Sequence, residues 1–139
     1  MGVKLSLLIV VGTASLLTGC STAPGEQARS PKAAKELADA LAGRVAGPPQ
    51  RCISNFPQVE VEVIDDWTIL YREGSTVYVQ NPQGGCPGIG IGSRTLVTRQ
   101  VGTSQMCAGD INQSVDLRTG IGGAPCVFGP FVPYTKTKS

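Results

Sequence analysis

The chain has 139 residues, of which 16% are charged and 41% are apolar, and it contains 18 glycines and 10 prolines. This length suffices for one small domain, and so many glycines and prolines exclude a fold built mainly from long helices. The net charge of +2 argues against a strongly basic nucleic-acid-binding protein, and the absence of histidine excludes Ser-His-Asp and Cys-His nucleophiles and histidine metal ligands.

Residues 1–19 have the features of a bacterial export signal. Lys4 precedes residues 5–17, which are uncharged and mostly aliphatic. A helix of that length spans only about 20 Å, whereas a bilayer core is about 30 Å thick. The pattern therefore predicts a cleaved signal peptide and not a membrane-spanning helix.

The leader ends in Leu17-Thr18-Gly19-Cys20, which resembles the lipobox of bacterial lipoproteins. The resemblance implies cleavage before Cys20, a diacylglycerol on its sulfur and an acyl group on the new amino terminus. Several acyl chains give stable anchoring, because each buried methylene contributes about 0.8 kcal/mol. In Gram-negative lipoproteins an aspartate after the cysteine favours the inner membrane, so Ser21 implies the periplasmic face of the outer membrane.

Residues 20–32, which follow the leader, are polar and lack apolar periodicity. They include Pro24, Gly25 and Pro31. Such a composition predicts a flexible tether between the acylated Cys20 and the folded domain.

One helix is predicted after the tether. Ser30 is a suitable N-cap, Pro31 suits the first helical position, and apolar residues recur at helical spacing up to Leu41. Residues 33–49 are therefore assigned to a short helix and a Pro/Gly linker, with Gly43 ending the helix. The apolar stripe is thin and rich in alanine, so we expect this segment to add little to the core.

Residues 50–135 alternate between apolar and polar side chains, which predicts β-strands. The first strand has valines at 59, 61 and 63, expected on one face, and the carboxylates of Glu60 and Glu62 on the other. Six short strands are predicted, in residues 59–63, 67–71, 77–79, 95–101, 111–117 and 126–132, the first three forming a meander. The predicted fold is an all-β domain, a small barrel or sandwich of about six short strands, preceded by one N-terminal helix.

If Cys20 is acylated, four cysteines remain: Cys52, Cys86, Cys107 and Cys126. An even number in an exported domain predicts two disulfides. The spacings match neither a Cys-x-x-Cys redox site nor the paired ligands of a zinc site. Of the three possible connectivities we favour Cys86–Cys107, which closes a short loop, and Cys52–Cys126, which ties the first strand to the last.

Three groups of residues resemble parts of binding or catalytic sites, but each has a simpler structural interpretation. The glycine-rich residues 88–92 precede a predicted strand and not the helix that a nucleotide-binding loop requires, so they are interpreted as a turn or bulge. Asp110 is expected to cap backbone amides of a turn. The arginines of the strand region are interpreted as surface charge: Arg94, Arg99 and Arg118.

Glu60, Glu62, Asp65 and Asp66 form an acidic cluster in the sequence. The two glutamates are expected on a solvated strand face, and the two aspartates in a turn. Calcium sites need more oxygen ligands at closer spacing. The sequence therefore predicts no catalytic residue, no cofactor and no metal site.

Residues 50–134 also resemble a family of small exported bacterial proteins of unknown function. The resemblance lies in Arg51-Cys52-Ile53, Asp65-Asp66 before a Trp-Thr-Ile-Leu strand, a lone Cys86, Cys107-x-Gly-Asp and Cys126-x-x-Gly. Because that family has no established activity, the resemblance implies no catalytic residue.

Together these features predict a non-enzymatic lipoprotein, an envelope binding or structural module. Its expected partners are the membrane, through the lipid anchor, and another envelope protein, with no nucleic acid. The alternative is an inhibitor of a cell-envelope hydrolase, in which residues 83–92 or 118–124 would enter the enzyme cleft, since a rigid loop loses little entropy on binding.

Overall fold

A computed structural model of the chain describes residues 29–55, 59–100 and 102–137. The described residues form one helix and ten strands in three sheets, so the predicted all-β fold with one N-terminal helix is confirmed. The leader, Cys20 and most of the predicted tether lie outside the described residues. The elements are α1 (Pro31–Leu41), β1 (Arg44–Ala46), β2 (Cys52–Ser54), β3 (Glu60–Asp65), β4 (Thr68–Glu73), β5 (Thr76–Gln80), β6 (Arg94–Thr98), β7 (Gln105–Cys107), β8 (Ile111–Asp116), β9 (Gly122–Val127) and β10 (Phe131–Lys136).

Helix α1 begins where the sequence predicts it. The hydroxyl of Ser30 accepts a hydrogen bond from the backbone amide of Ala33 at 3.2 Å, and Pro31 occupies the first turn, where a missing N–H costs nothing. Gly43 follows the helix with φ of 68°, a conformation that glycine adopts without a side-chain clash. Local sequence therefore fixes both ends of this helix.

The main sheet has five antiparallel strands in the order β1-β10-β5-β4-β3. The consecutive strands β3, β4 and β5 form the predicted meander. Strand β10 returns between β1 and β5, so the two ends of the described chain meet in one sheet. In this register Leu70 lies opposite Val79, and Tyr71 lies opposite Tyr78.

Helix α1 covers one face of the main sheet. Its apolar side chains pack on Leu70, Val77 and neighbouring residues, and Leu70 is completely buried. Helix residues contributing to this core are Ala33, Leu37, Ala40 and Leu41. The segment before residue 50 therefore supplies side chains to one of the two cores, although its thin apolar stripe predicted little contribution.

The other face of the main sheet packs on two smaller sheets, β2–β7 and β6–β8–β9. The centre of this second core is an aromatic cluster of Tyr71, Phe128 and Phe131, with ring centroids 5.6–6.0 Å apart in edge-to-face geometry. Ile53 from β2 and Met106 from β7 are buried in the same core. The domain is thus a β-sandwich, and helix α1 covers the face of the main sheet that points away from the two smaller sheets.

Several strand predictions need correction. Arg44–Ala46, assigned to a linker, forms β1, and the three-residue strands β2 and β7 were missed because they are too short to show alternation. The predicted strand 126–132 is two strands, β9 and β10, interrupted around the buried Phe128. Val61, predicted to share a strand face with Val59 and Val63, is 48% exposed on the edge strand β3.

Two disulfides are present, but the favoured connectivity is wrong. The observed pairs are Cys52–Cys107 and Cys86–Cys126. Strands β2 and β7 pair antiparallel and place Cys52 directly opposite Cys107. The loop that contains Cys86 lies against β9, where the amide of Gln83 donates to the carbonyl of Val127 at 2.8 Å. Strand pairing, not loop length, selects the partners.

Candidate functional site

A cavity of about 350 Å³ opens between the first turn of α1, the β3–β4 turn and the glycine-rich loop of residues 84–92. We call it the Trp67 cleft. The first turn of α1 forms one wall of the cleft. The other lining residues are Arg29, Asp65, Asp66, Trp67, Gly90 and Ile91. Its volume lies at the lower end of the range of small-molecule sites, about 300–1,000 Å³.

Asp65 organises the turn at the base of the cleft. Its Oδ1 accepts a hydrogen bond from the Trp67 amide at 2.9 Å, as aspartates commonly do in turns. Its Oδ2 accepts from Nε of Arg29 at 2.7 Å, and the same guanidinium donates to the hydroxyl of Thr68. One carboxylate therefore positions both the tryptophan and the arginine.

Asp66 binds the glycine-rich loop. Its two carboxylate oxygens accept hydrogen bonds from the amides of Gly88 at 2.9 Å and Gly90 at 3.1 Å, and its carbonyl accepts from the Cys86 amide at 2.6 Å. Successive backbone amides of this kind form anion-binding concavities. Here the protein's own carboxylate occupies that position, and the loop is followed by strand β6, which confirms the interpretation of residues 88–92 as a turn.

The glycine-rich loop is held from three further sides. Cys86 is linked by a disulfide to Cys126, and Ile89 is buried in the core. Gly85 has φ of 76°, and a Cβ at this position would lie 3.2 Å from the Trp67 ring, so a larger residue would meet both backbone strain and the indole. The wall of the cleft is therefore preorganised.

The charged groups of the cleft have partners within the protein. Arg29 pairs with Asp65, and Lys32 pairs with Glu36 at 3.0 Å along the helix. The carboxylate of Asp66 is compensated by the two loop amides. The cleft therefore presents a polar surface around one indole ring, with two cationic and three carboxylate side chains that are paired or hydrogen-bonded within the protein.

Replacement of Asp66 by alanine is expected to destabilise the domain by about 2 kcal/mol, because two amides lose a charged acceptor. Urea unfolding followed by circular dichroism measures this loss, and a change in Trp67 emission reports release of the loop. Asp110→Ala is a matched control, since Asp110 accepts one amide hydrogen bond outside the cleft, from Cys107 at 2.7 Å. It should cost about 1 kcal/mol and leave the Trp67 emission unchanged. Equal stability of Asp66→Ala and the unmodified protein would contradict this role.

The acidic cluster does not come together as one site. Glu60 is exposed, and Glu62 pairs with Arg72 at 2.6 Å, whereas only Asp65 and Asp66 reach the cleft. Within the part of the chain that the structure describes, no three cysteine or acidic side chains are grouped as a metal site would require.

The other sequence candidates have structural roles. Asp110 caps the amide of Cys107, as predicted. Arg94 lies 3.4 Å from the Ser114 hydroxyl. In the β8–β9 turn, hydrogen bonds from the amides of Arg118 and Thr119 hold the pKa of Asp116 below its usual value. None of these residues lines the Trp67 cleft.

Two further cavities offer less chemistry. One, of about 250 Å³, lies between β3 and β6 and is lined by Tyr71, Leu96 and Met106 among others. Burial raises the pKa of Tyr71, so its hydroxyl stays protonated. The other, of about 260 Å³, lies on the outer face of β6–β8–β9 beside Ile111 and Pro125. Neither cavity places a carboxylate beside a nucleophile.

The Trp67 cleft was not predicted from the sequence as a site. Asp65, Asp66 and residues 88–92 were each interpreted as turns, and Arg29 was not singled out. The available signal was local, a sole tryptophan directly after two aspartates. The helix and the glycine-rich loop that complete the cleft are distant from Trp67 along the chain.

Comparisons with known proteins give no assignment. No protein-family model matches the chain, and neither a curated protein nor a solved structure matches it. Across residues 29–55, 59–100 and 102–137, none of the helical structure is both long and apolar enough to cross a bilayer.

Proposed function

We propose that the protein is a lipid-anchored module of the bacterial cell envelope that binds a ligand without catalysing a reaction. The observation that supports binding most directly is the Trp67 cleft, whose walls are held by a disulfide, a buried isoleucine and the Asp66 carboxylate. A preformed cavity of this kind loses little conformational entropy when it is occupied.

The chemistry of the cleft favours binding over catalysis. Asp65 and Asp66, its central carboxylates, already accept hydrogen bonds from the Arg29 guanidinium or from backbone amides. These hydrogen bonds fix the position of both carboxylates within the turn. The proposal therefore assigns these groups to positioning and recognition.

The proposed anchor lies close to the cleft along the chain. Only residues 21–28 separate Cys20 from Arg29, which lines the cleft. A fully extended chain of that length spans at most about 30 Å. If Cys20 is acylated, the cleft lies within that distance of the membrane surface. The two disulfides are consistent with an oxidising compartment such as the periplasm.

Anchoring is expected to depend on one sulfur atom. In a Gram-negative host fed labelled palmitate, Cys20→Ser should abolish incorporation of the label and leave the leader uncleaved by the lipoprotein peptidase. The neighbouring substitution Ser21→Ala keeps the acceptor sulfur and should be labelled normally. Palmitate incorporation into the Cys20→Ser protein would refute the lipobox assignment.

The alternative, an inhibitor of an envelope hydrolase, is supported by the β8–β9 turn. Leu117 and Ile121 are 69% and 64% exposed there, and Asp116 holds the turn by accepting from two of its amides. A rigid turn with an apolar tip suits insertion into an enzyme cleft. Retention of a cell-wall hydrolase that is lost in Leu117→Ser but kept in Ile91→Ser would favour this function.

A further inference from the structure

We propose that the Trp67 cleft binds a neutral saccharide, about one or two rings of an envelope glycan. The inference deepens the proposed function and rests on it for the source of the glycan. Three properties of the cleft indicate the chemical class of the ligand: the internal pairing of its charges, its apolar surface and its remaining hydrogen-bonding capacity.

The internal pairing of the charged groups favours a neutral ligand. Arg29 and Asp65 neutralise each other across 2.7 Å, and both carboxylate oxygens of Asp66 are held by loop amides. A charged ligand would have to displace one of these partners to gain an ion pair of its own, and the displaced group would lose its interaction. A neutral polar ligand adds hydrogen bonds without disturbing them.

The apolar surface suits one face of a sugar ring. Trp67 lines the cleft, with the backbone of Gly85 packed against its indole. Ile91 lines the cleft and is 70% exposed, whereas Ile89, two residues earlier in the same loop, is buried. A pyranose ring presents C–H groups on one face and hydroxyls around its rim, which matches an indole and an aliphatic side chain bordered by polar groups.

The polar groups retain capacity for hydroxyl ligands. Each carboxylate oxygen of Asp65 and Asp66 has two lone pairs, and among the described residues each accepts one hydrogen bond. The guanidinium of Arg29 has five N–H donors, and within residues 29–55, 59–100 and 102–137 two of them donate, to Asp65 and Thr68. Because a sugar hydroxyl both donates and accepts, adjacent hydroxyls can bridge such carboxylate and guanidinium groups.

The sole tryptophan of the chain provides a direct assay. The full chain is purified in a detergent without a sugar head group and titrated with the trisaccharide of N-acetylglucosamine up to about 10 mM. We expect a saturable change in tryptophan emission. A trisaccharide of uronic acids, which carries negative charge, should bind at least tenfold more weakly.

Two exposed isoleucines give a matched pair of variants. Ile91→Ser, within the cleft, should weaken trisaccharide binding about fivefold by removing apolar contact. Ile121→Ser, on the remote β8–β9 turn and similarly exposed, should leave the affinity unchanged. Neither side chain is buried, so both variants should fold. Binding to Trp67→Phe is measured by calorimetry and should be retained but weaker.

Sedimentation with peptidoglycan sacculi tests the source of the sugar. The unmodified protein and Ile121→Ser should sediment with the sacculi, whereas Ile91→Ser should do so less. The saccharide proposal is overturned if no neutral sugar changes the emission or gives heat, if the uronic acid binds equally well, or if Ile91→Ser has normal affinity. Sacculus binding without palmitate labelling of Cys20 would instead refute the anchor and leave the saccharide site standing.

Discussion

Simultaneous replacement of Cys86 and Cys126 by serine is expected to lower the free energy of unfolding by about 4 kcal/mol. The cysteines are 40 residues apart, and their disulfide limits the conformations of the unfolded chain. The bond also ties the glycine-rich loop to β9. We therefore expect a large fall in the urea midpoint, measured by circular dichroism, together with altered Trp67 emission in the folded state.

The second disulfide is the control for the predicted change in Trp67 emission. Cys52→Ser with Cys107→Ser removes a bond of separation 55 and should also cost about 4 kcal/mol. Because β2 and β7 do not line the Trp67 cleft, emission and saccharide affinity should remain unchanged under folding conditions. Peptide mapping that recovered Cys86 joined to Cys107 would contradict the observed connectivity.

Deletion of residues 30–49 is expected to cost more than about 5 kcal/mol, comparable to the whole stability of a small domain. It removes α1 and β1, exposing the face of the main sheet that carries Leu70, Val77 and Val79. Burial of each such side chain contributes about 1.5–3 kcal/mol. Far-UV circular dichroism during urea titration should show loss of the cooperative transition.

Point variants on α1 test its contribution to stability without shortening the chain. Leu37→Ala removes a side chain that packs on the sheet and should cost about 2 kcal/mol. Lys35→Ala, on the exposed side of the same helix, should change stability by less than about 0.5 kcal/mol. A truncated protein that melted cooperatively near the normal temperature would show that α1 is only a lid.

The local features of the fold were predictable from the sequence. Ser30 and Pro31 determine the start of α1, because capping involves only neighbouring residues. The alternation between residues 60 and 80 predicted the meander, since strands joined by short turns pair with each other. The four cysteines besides Cys20 likewise predicted two disulfides, because that count does not depend on where the strands lie.

Only the tertiary structure decided which strands, cysteines and loops are neighbours in space. Cys52 pairs with Cys107 because β2 lies beside β7, and three-residue strands carry too little alternation to be detected in the sequence. The apolar stripe of α1 appeared too thin to matter, but its weight depends on the sheet face beneath it. The Trp67 cleft has the same origin. Arg29, the β3–β4 turn and Gly90 meet there through long-range hydrogen bonds, and such contacts leave no periodic pattern in the chain.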